Sequence, residues 1–229
     1  MAKYLVTGGS GDIGRAIIVT LLAEGHSVIC QYYSSDLDEL KAFFNSHRVE
    51  YWQADLSQPF DRPNLFDGLD GMIYAAGCES FGLIQDFSAQ QIDAQYYIHL
   101  KSLILLNQWM MPGLLQKQYG RIIVISSIWG ETGASMESLY ATMKAGQLGL
   151  IKSLAKELAL SSITVNAVTP GLVRGRMTDA LDAEAILEEI PQGELVEPEE
   201  VAFLVNYLLD KKAQHMTGQV LRLNSGWLI

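Results

Sequence analysis

The chain has 229 residues, 49% of them apolar, which fits one α/β domain with a large core. Its net charge of −10 argues against a general nucleic-acid binder, because neutralising phosphates takes a basic surface, and an acidic protein partner would have to find a local basic patch. No run reaches the roughly 18 uncharged apolar residues of a membrane span, and the N-terminus lacks the basic-then-apolar layout of a signal peptide. The two cysteines, Cys30 and Cys78, have no metal-ligand spacing. They are expected as reduced thiols in or near the core of a cytoplasmic protein with no metal site.

Tyr4-Leu5-Val6 is a short apolar run that ends in Thr7-Gly8-Gly9-Ser10-Gly11-Asp12-Ile13-Gly14. Ala16, Ile17, Ile18, Leu21 and Leu22 then recur at helical spacing as far as Gly25. Strand, glycine turn and helix in that order set backbone N–H groups and a positive helix end against a dinucleotide pyrophosphate. Residues 28–30 read as the second strand, and 36–47 as a helix with Leu37, Leu40, Phe43 and Phe44 facing inward. Strands are expected at 49–53 and 71–75, with Pro59 and Pro63 leaving little room for a full helix between them. A long helical stretch at 92–118 should break near Met111-Pro112-Gly113. A strand at 121–125, a helix at 138–160, a strand at 163–168, a helix at 199–209 and a strand at 220–223 complete the series. Repeated strand–helix units demand right-handed parallel crossovers. The expected fold is therefore a single α/β domain over 1–229, a doubly wound Rossmann sheet of seven parallel strands with helices on both faces.

Tyr140 and Lys144 stand four apart in the helix at 138–160, so their side chains share a face. A neighbouring ammonium favours the phenolate and would lower the tyrosine pKa from its usual value of about 10. Such an acid suits protonation of the alkoxide that forms when a ketone is reduced. Ser127, thirteen residues before Tyr140, adds a second hydroxyl.

The glycine loop followed by Ser127 and Tyr140-x-x-x-Lys144 resembles the short-chain dehydrogenase/reductase family over essentially the whole chain. Asp55-Leu56, Ala76-Gly77, Asn166, Pro170-Gly171 and Thr217-Gly218-Gln219 extend the resemblance. It implies that Tyr140 donates the proton, that Ser127 bonds the substrate carbonyl, and that Lys144 binds the nicotinamide ribose while tuning Tyr140. It also implies dinucleotide contacts from Gly8, Ser10, Asp12, Ile13 and Gly14 in the first loop. Asp55 with Leu56, Ala76 with Gly77, and Pro170, Gly171 and Val173 would add contacts after later strands. Relatives form dimers or tetramers through their long helices, so a homo-oligomer is expected.

Several positions depart from that pattern. Asp12 replaces a glycine and reads as a cap for the following helix, its side chain turned from the phosphates. Tyr74-Ala75-Ala76-Gly77 stands where Asn-Asn-Ala-Gly is usual, and Gly175 where a threonine is usual. His99 occupies the place of a tetrad asparagine. It reads either as an imidazole that orders a proton-relay water and titrates near neutrality, or as a helix histidine bonded to a backbone carbonyl.

The cofactor expectation is NADP(H) over NAD(H). Tyr32 marks the end of the second strand, where NAD selectivity needs an acid, and none occurs before Asp36. No arginine is visible nearby to clamp a 2′-phosphate.

Two protein-borne substrates fit. The string Ser126–Ser135, the pair Leu139-Tyr140 and His99 resemble the reductases that act on a 5-aminopentanone group of elongation factor P. The reading favours that substrate, with Trp129 and Glu131 as an aromatic wall and a carboxylate for its ammonium. The alternative is 3-oxoacyl-acyl-carrier-protein reduction, and a non-catalytic dinucleotide sensor or scaffold is a third. Arg174 and Arg176 are candidate docking charges for the acidic surface of acyl carrier protein or elongation factor P.

Overall fold

The computed structural model describes residues 1–176, 178 and 187–229. In chain order the strands are β1 (Lys3–Thr7), β2 (Ser27–Tyr32), β3 (Val49–Gln53), β4 (Gly71–Tyr74), β5 (Gly120–Ile125), β6 (Ile163–Pro170) and β7 (Val220–Leu223). The helices that position the site are α1 (Asp12–Ala23), α2 (Leu37–Phe44), α3 (Ala89–Tyr96), α4 (Ser102–Lys117), α5 (Trp129–Thr132), α6 (Ser138–Glu157) and α7 (Pro198–Leu209). The sheet runs β3-β2-β1-β4-β5-β6-β7 with every neighbouring pair parallel. The order reverses between β1 and β4, and the chain's ligand crevice is expected at the carboxyl ends of these strands.

Alternate residues of each strand feed two cores. Leu5, Ile122 and Val124 belong to one face, with α4 and α6; Tyr4, Val6, Ile123 and Ile125 belong to the other, with α1, α2 and α7. Each fully buried aliphatic side chain in these layers contributes about 1.5–3 kcal/mol. The link from β3 to β4 makes no helix. Leu56, Phe66 and Leu69 cover the first core there instead, with Trp52 edge-on to Phe66 at 5.4 Å.

Three local expectations change. Phe43 is half exposed, while Leu40 and Phe44 of α2 are buried and Leu37 packs beside them on the second core. Cys78 is exposed just beyond β4, whereas Cys30 is buried in the second core. The break in the long helix lies at Tyr97–Lys101, a π-helical turn, while Pro112 is accommodated inside α4. Tyr74 explains the position of the break. Its phenol bonds the Ile98 carbonyl and lies 2.6 Å from Ser102 Oγ, and Ser102 Oγ donates to Tyr97 O at 2.7 Å. The carbonyls that a widened turn leaves over are thus taken up by side chains.

Candidate active site

The dinucleotide side of the crevice is built on close backbone approach. Gly8 has φ +64°, and a β-carbon there would lie 2.8 Å from Ala75 O. At Gly14 a β-carbon would lie 2.2 Å from Gly8 O, so the first turn of α1 packs directly on the loop. Thr7 Oγ1 accepts from the N–H groups of Ala75 and Ala76 at 3.1 Å each, which pins the end of β4 beside the glycine loop. This cradle of close backbone at a helix N-terminus has the character that fits a pyrophosphate.

The buried Gln31 escaped the reading of the sequence. Its Oε1 accepts from Gly8 N and its Nε2 donates to Ala54 O, both at 2.8 Å, so one amide ties the glycine loop to the end of β3. A polar residue inside an apolar strand was the available signal, since such a group is buried only with its bonds made.

The other expected cofactor residues are placed by their neighbours in the chain. Asp12 does not cap α1; the cap position is Gly11, and the Asp12 carboxylate turns to Arg176. Ile13 is half-buried against the second core, and Leu56 is buried in the first, so only the Leu56 backbone can serve the crevice. Tyr32 is buried and meets Tyr51 edge-on at 6.5 Å; the exposed tyrosine at the end of β2 is Tyr33. Strand alternation explains the exchange, because adjacent residues face opposite ways. Asp55 bonds Ser57 N, Ser57 Oγ and Gln58 Nε2, the turn role of a loop aspartate. Pro170 closes β6, Gly171 donates to Leu223 O, and Val173 bridges to Val196, so this loop is fixed to the far edge of the sheet.

An arginine absent from the sequence near β2 is supplied by α1. Arg15 Nε donates to Ser10 O at 3.1 Å, and its guanidinium lies 4.7 Å from the centre of the Phe43 ring.

The Ser127 and Tyr140 hydroxyls meet beyond β5. Ser126 Oγ donates to Lys144 O, and Lys144 Nζ donates to Ile125 O at 3.0 Å, which locks α6 against the strand end that carries Ser127. Lys144 Nζ also lies 5.4 Å from the centre of the Tyr140 ring. The tuning differs from expectation. Burial raises the Tyr140 pKa well above its ordinary value, a hydrogen bond with Ser127 offsets part of that rise, and Glu137, Cys78 and Glu79 add to it. Burial likewise pushes Lys144 down to about 8. The phenol therefore holds its proton at neutral pH, as a general acid must.

His99 is fully buried within the π-helical turn. Its Nε2 donates to Cys78 O at 2.9 Å, and Nδ1 is buried without a partner among the described residues. The ring stands edge-on to Tyr140 at 5.6 Å. Burial, with Lys144 nearby, lowers its pKa to about 3, so it does not titrate near neutrality.

The residues assigned to an aminoketone stem are otherwise engaged. Trp129 starts α5 and meets Trp227 at 5.0 Å. Glu131 accepts from Thr169 Oγ1 at 2.7 Å and pairs with Arg222 at 2.9 Å, so its carboxylate already has a cation on β7. The two candidate docking arginines are also paired within the chain, Arg174 with Glu197 at 2.7 Å and Arg176 with Asp12 and Ser10.

Comparison with known proteins agrees with this geometry. Residues 9–227 match the family described as Enoyl-(Acyl carrier protein) reductase. The chain belongs to the short-chain dehydrogenase/reductase family. An uncharacterized oxidoreductase, YmfI of Bacillus subtilis, is 38% identical over 97% of each chain. The 3-oxoacyl-[acyl-carrier-protein] reductase FabG of Rickettsia prowazekii is 38% identical over 98% of this chain and 96% of its own. A putative 2-deoxy-D-gluconate 3-dehydrogenase of Agrobacterium tumefaciens, solved with bound NADP, superposes with a TM-score of 0.91 at 31% identity, covering 99% of this chain and 96% of its own. This short-chain dehydrogenase/reductase is an NAD(P)-dependent oxidoreductase. Among the described residues no helix is long and apolar enough to cross a membrane.

Proposed function

We propose that this short-chain dehydrogenase/reductase is an NADPH-dependent reductase of 3-oxoacyl thioesters carried by acyl carrier protein. The observation that carries the reading is 38% identity, over nearly the full length of both chains, to a 3-oxoacyl-[acyl-carrier-protein] reductase. The dinucleotide, when bound, supplies hydride to the carbonyl carbon. Ser127 holds the carbonyl oxygen, Tyr140 delivers its proton to that oxygen, and the charged Lys144 stabilises the negative charge that develops there. His99, edge-on to Tyr140, is proposed to hold a relay water at Nδ1. The preference for NADPH is supported by Arg15, held at Ser10 beside α2, and by the NADP found in the related dehydrogenase.

A second substrate class keeps one observation in its favour. Glu137 and Glu79 both act on the Tyr140 phenol, and burial, then Glu79, raises the half-buried Glu137 in turn. Negative charge at that mouth suits the ammonium of an aminopentanone on elongation factor P better than it suits an anionic acyl carrier. The experiment pairs the two substrates in one assay. NADPH oxidation with an acetoacetyl thioester should be brisk, and aminopentanone-modified elongation factor P should keep its mass. A gain of two hydrogens on that protein, with no turnover of the thioester, would reverse the order of the two readings.

A further inference from the structure

The glycine loop and the loop after β6 meet at Asp12 and Arg176, 164 positions apart in sequence. The Arg176 backbone N–H donates to Asp12 Oδ2 at 3.0 Å, its Nε lies 3.5 Å from Oδ1, and its Nη2 donates to Ser10 O at 2.9 Å. Gly175 completes the junction. It has φ +152°, and a β-carbon there would lie 2.4 Å from Asp12 Oδ2. A side chain at 175 and this carboxylate position therefore exclude one another.

The arrangement poses an electrostatic problem that also suggests its answer. Asp12 sits in the first turn of α1, the end of the helix that attracts phosphate. A carboxylate in that cradle repels a pyrophosphate unless a cation stands between them. Arg176 is that cation. Its side chain stays 63% exposed and that of Asp12 36%, so their mutual attraction adds little to folding and leaves the guanidinium open to a ligand. The guanidinium has five N–H donors, and the contacts to Ser10 and Asp12 engage only part of that fork. Arg15 bonds the same Ser10 carbonyl, and its guanidinium stacks on Phe43 of α2. The two arginines thus share Ser10 O but differ in their second partner, Phe43 for Arg15 and Asp12 for Arg176.

We propose that Arg176 binds the pyrophosphate of the dinucleotide and that Asp12 is the residue that positions it. The proposal rests on the dinucleotide reading of this cradle and adds a cofactor-binding residue from outside the glycine loop. Pyrophosphate is common to NADH and NADPH, so Arg176 serves both.

Direct binding, followed by calorimetry with NADPH and with NADH, tests this on the wild-type protein and on Arg176→Ala, Asp12→Asn and the double variant. Far-UV circular dichroism and thermal melts check that each is folded. Arg176→Ala should weaken both dinucleotides about tenfold, a typical loss for one charge-assisted phosphate contact. The double variant should recover at least half of that loss on a logarithmic scale, because the unneutralised carboxylate is gone. Three results overturn the proposal: unchanged affinity in Arg176→Ala, a loss confined to NADPH, or a double variant no better than Arg176→Ala. The second would move Arg176 to the 2′-phosphate. Wild-type protein that bound neither dinucleotide would instead overturn the cradle itself, an outcome separate from any loss in the variants.

Discussion

His99 and Lys144 share the space beside Gly77: a β-carbon at Gly77 would lie 2.8 Å from His99 Cε1 and 3.7 Å from Lys144 Nζ. The imidazole meets the ammonium as a neutral ring, because burial and the positive charge of Lys144 both disfavour its protonation. The resulting bare Nδ1 is a buried acceptor without a partner among the described residues.

A neutral His99 has consequences for pH. Its folded pKa is depressed from 6.5 to about 3, so the stability it contributes is full above 6.5 and is lost as pH falls through 3. We expect the His99 ring resonances not to shift between pH 5 and 8 in NMR titrations. His99→Leu should leave Cys78 O unpaired and lower the unfolding free energy by about 1–3 kcal/mol, measured by urea denaturation. His99→Asn, which still carries a donor, should lose less. Ring resonances that move with an apparent pKa near 6.5 would contradict the buried neutral state.

Tyr140→Phe should reduce turnover about 10²–10⁴-fold while dinucleotide affinity stays within a few fold. In the wild type the group that loses charge first as pH rises is Lys144, at about 8. The rate of ketone reduction should therefore fall above pH 8, well before the Tyr140 phenol ionises. Stability should move the other way. Lys144 binds its proton more weakly in the folded protein than its usual 10.5, so the unfolded chain takes up protons between about 8 and 10.5 and folding gains as pH rises through that window. Lys144→Met should flatten both dependences. A rate that stays level from pH 7 to 10 would separate Lys144 from the reaction.

The parallel, doubly wound sheet was legible because short apolar strands alternate with helices, and such units demand right-handed parallel crossovers. The hydroxyl pair was legible because Tyr140 and Lys144 lie on one helix turn and Ser127 ends a strand. What stayed hidden depends on tertiary partners. Tyr74 takes up the Ile98 carbonyl, and that bond between distant segments moved the helix break from Pro112 to His99. Glu131 read as a free carboxylate until β7 brought Arg222 to it, 91 positions away. Burial, which spacing along a helix cannot reveal, raises the Tyr140 phenol where the Tyr140–Lys144 spacing alone suggested a lowering.

Glu131 tests the difference between a substrate contact and a structural pair. Its carboxylate joins α5, β6 and β7 through Thr169 and Arg222. Glu131→Gln should lower Tm by about 2–4 °C, the shift that corresponds to roughly 1 kcal/mol in a domain of this size. The ratio of kcat/KM between an aminoketone and its uncharged analogue should not change. A selective loss on the aminoketone, with Tm intact, would return Glu131 to the substrate site.

Gln31 offers the sharpest separation of architecture from contact. Its side chain is buried, and it ties Gly8 N to Ala54 O across two loops that the dinucleotide must straddle. Gln31→Leu keeps the volume and removes both bonds, leaving a donor and an acceptor unsatisfied at about 1–3 kcal/mol each. Gly8 has φ +64° and no side chain to hold it, so the loop should lose its fixed shape with that bond. We expect NADPH and NADH to bind roughly tenfold more weakly to Gln31→Leu, on the scale of one lost buried bond, together with a lower Tm. Gln31→Glu, which can still accept from Gly8 N but cannot donate to Ala54 O, should fall between the wild type and Gln31→Leu in affinity. Equal affinity in all three proteins would mean that the glycine loop keeps its shape without Gln31.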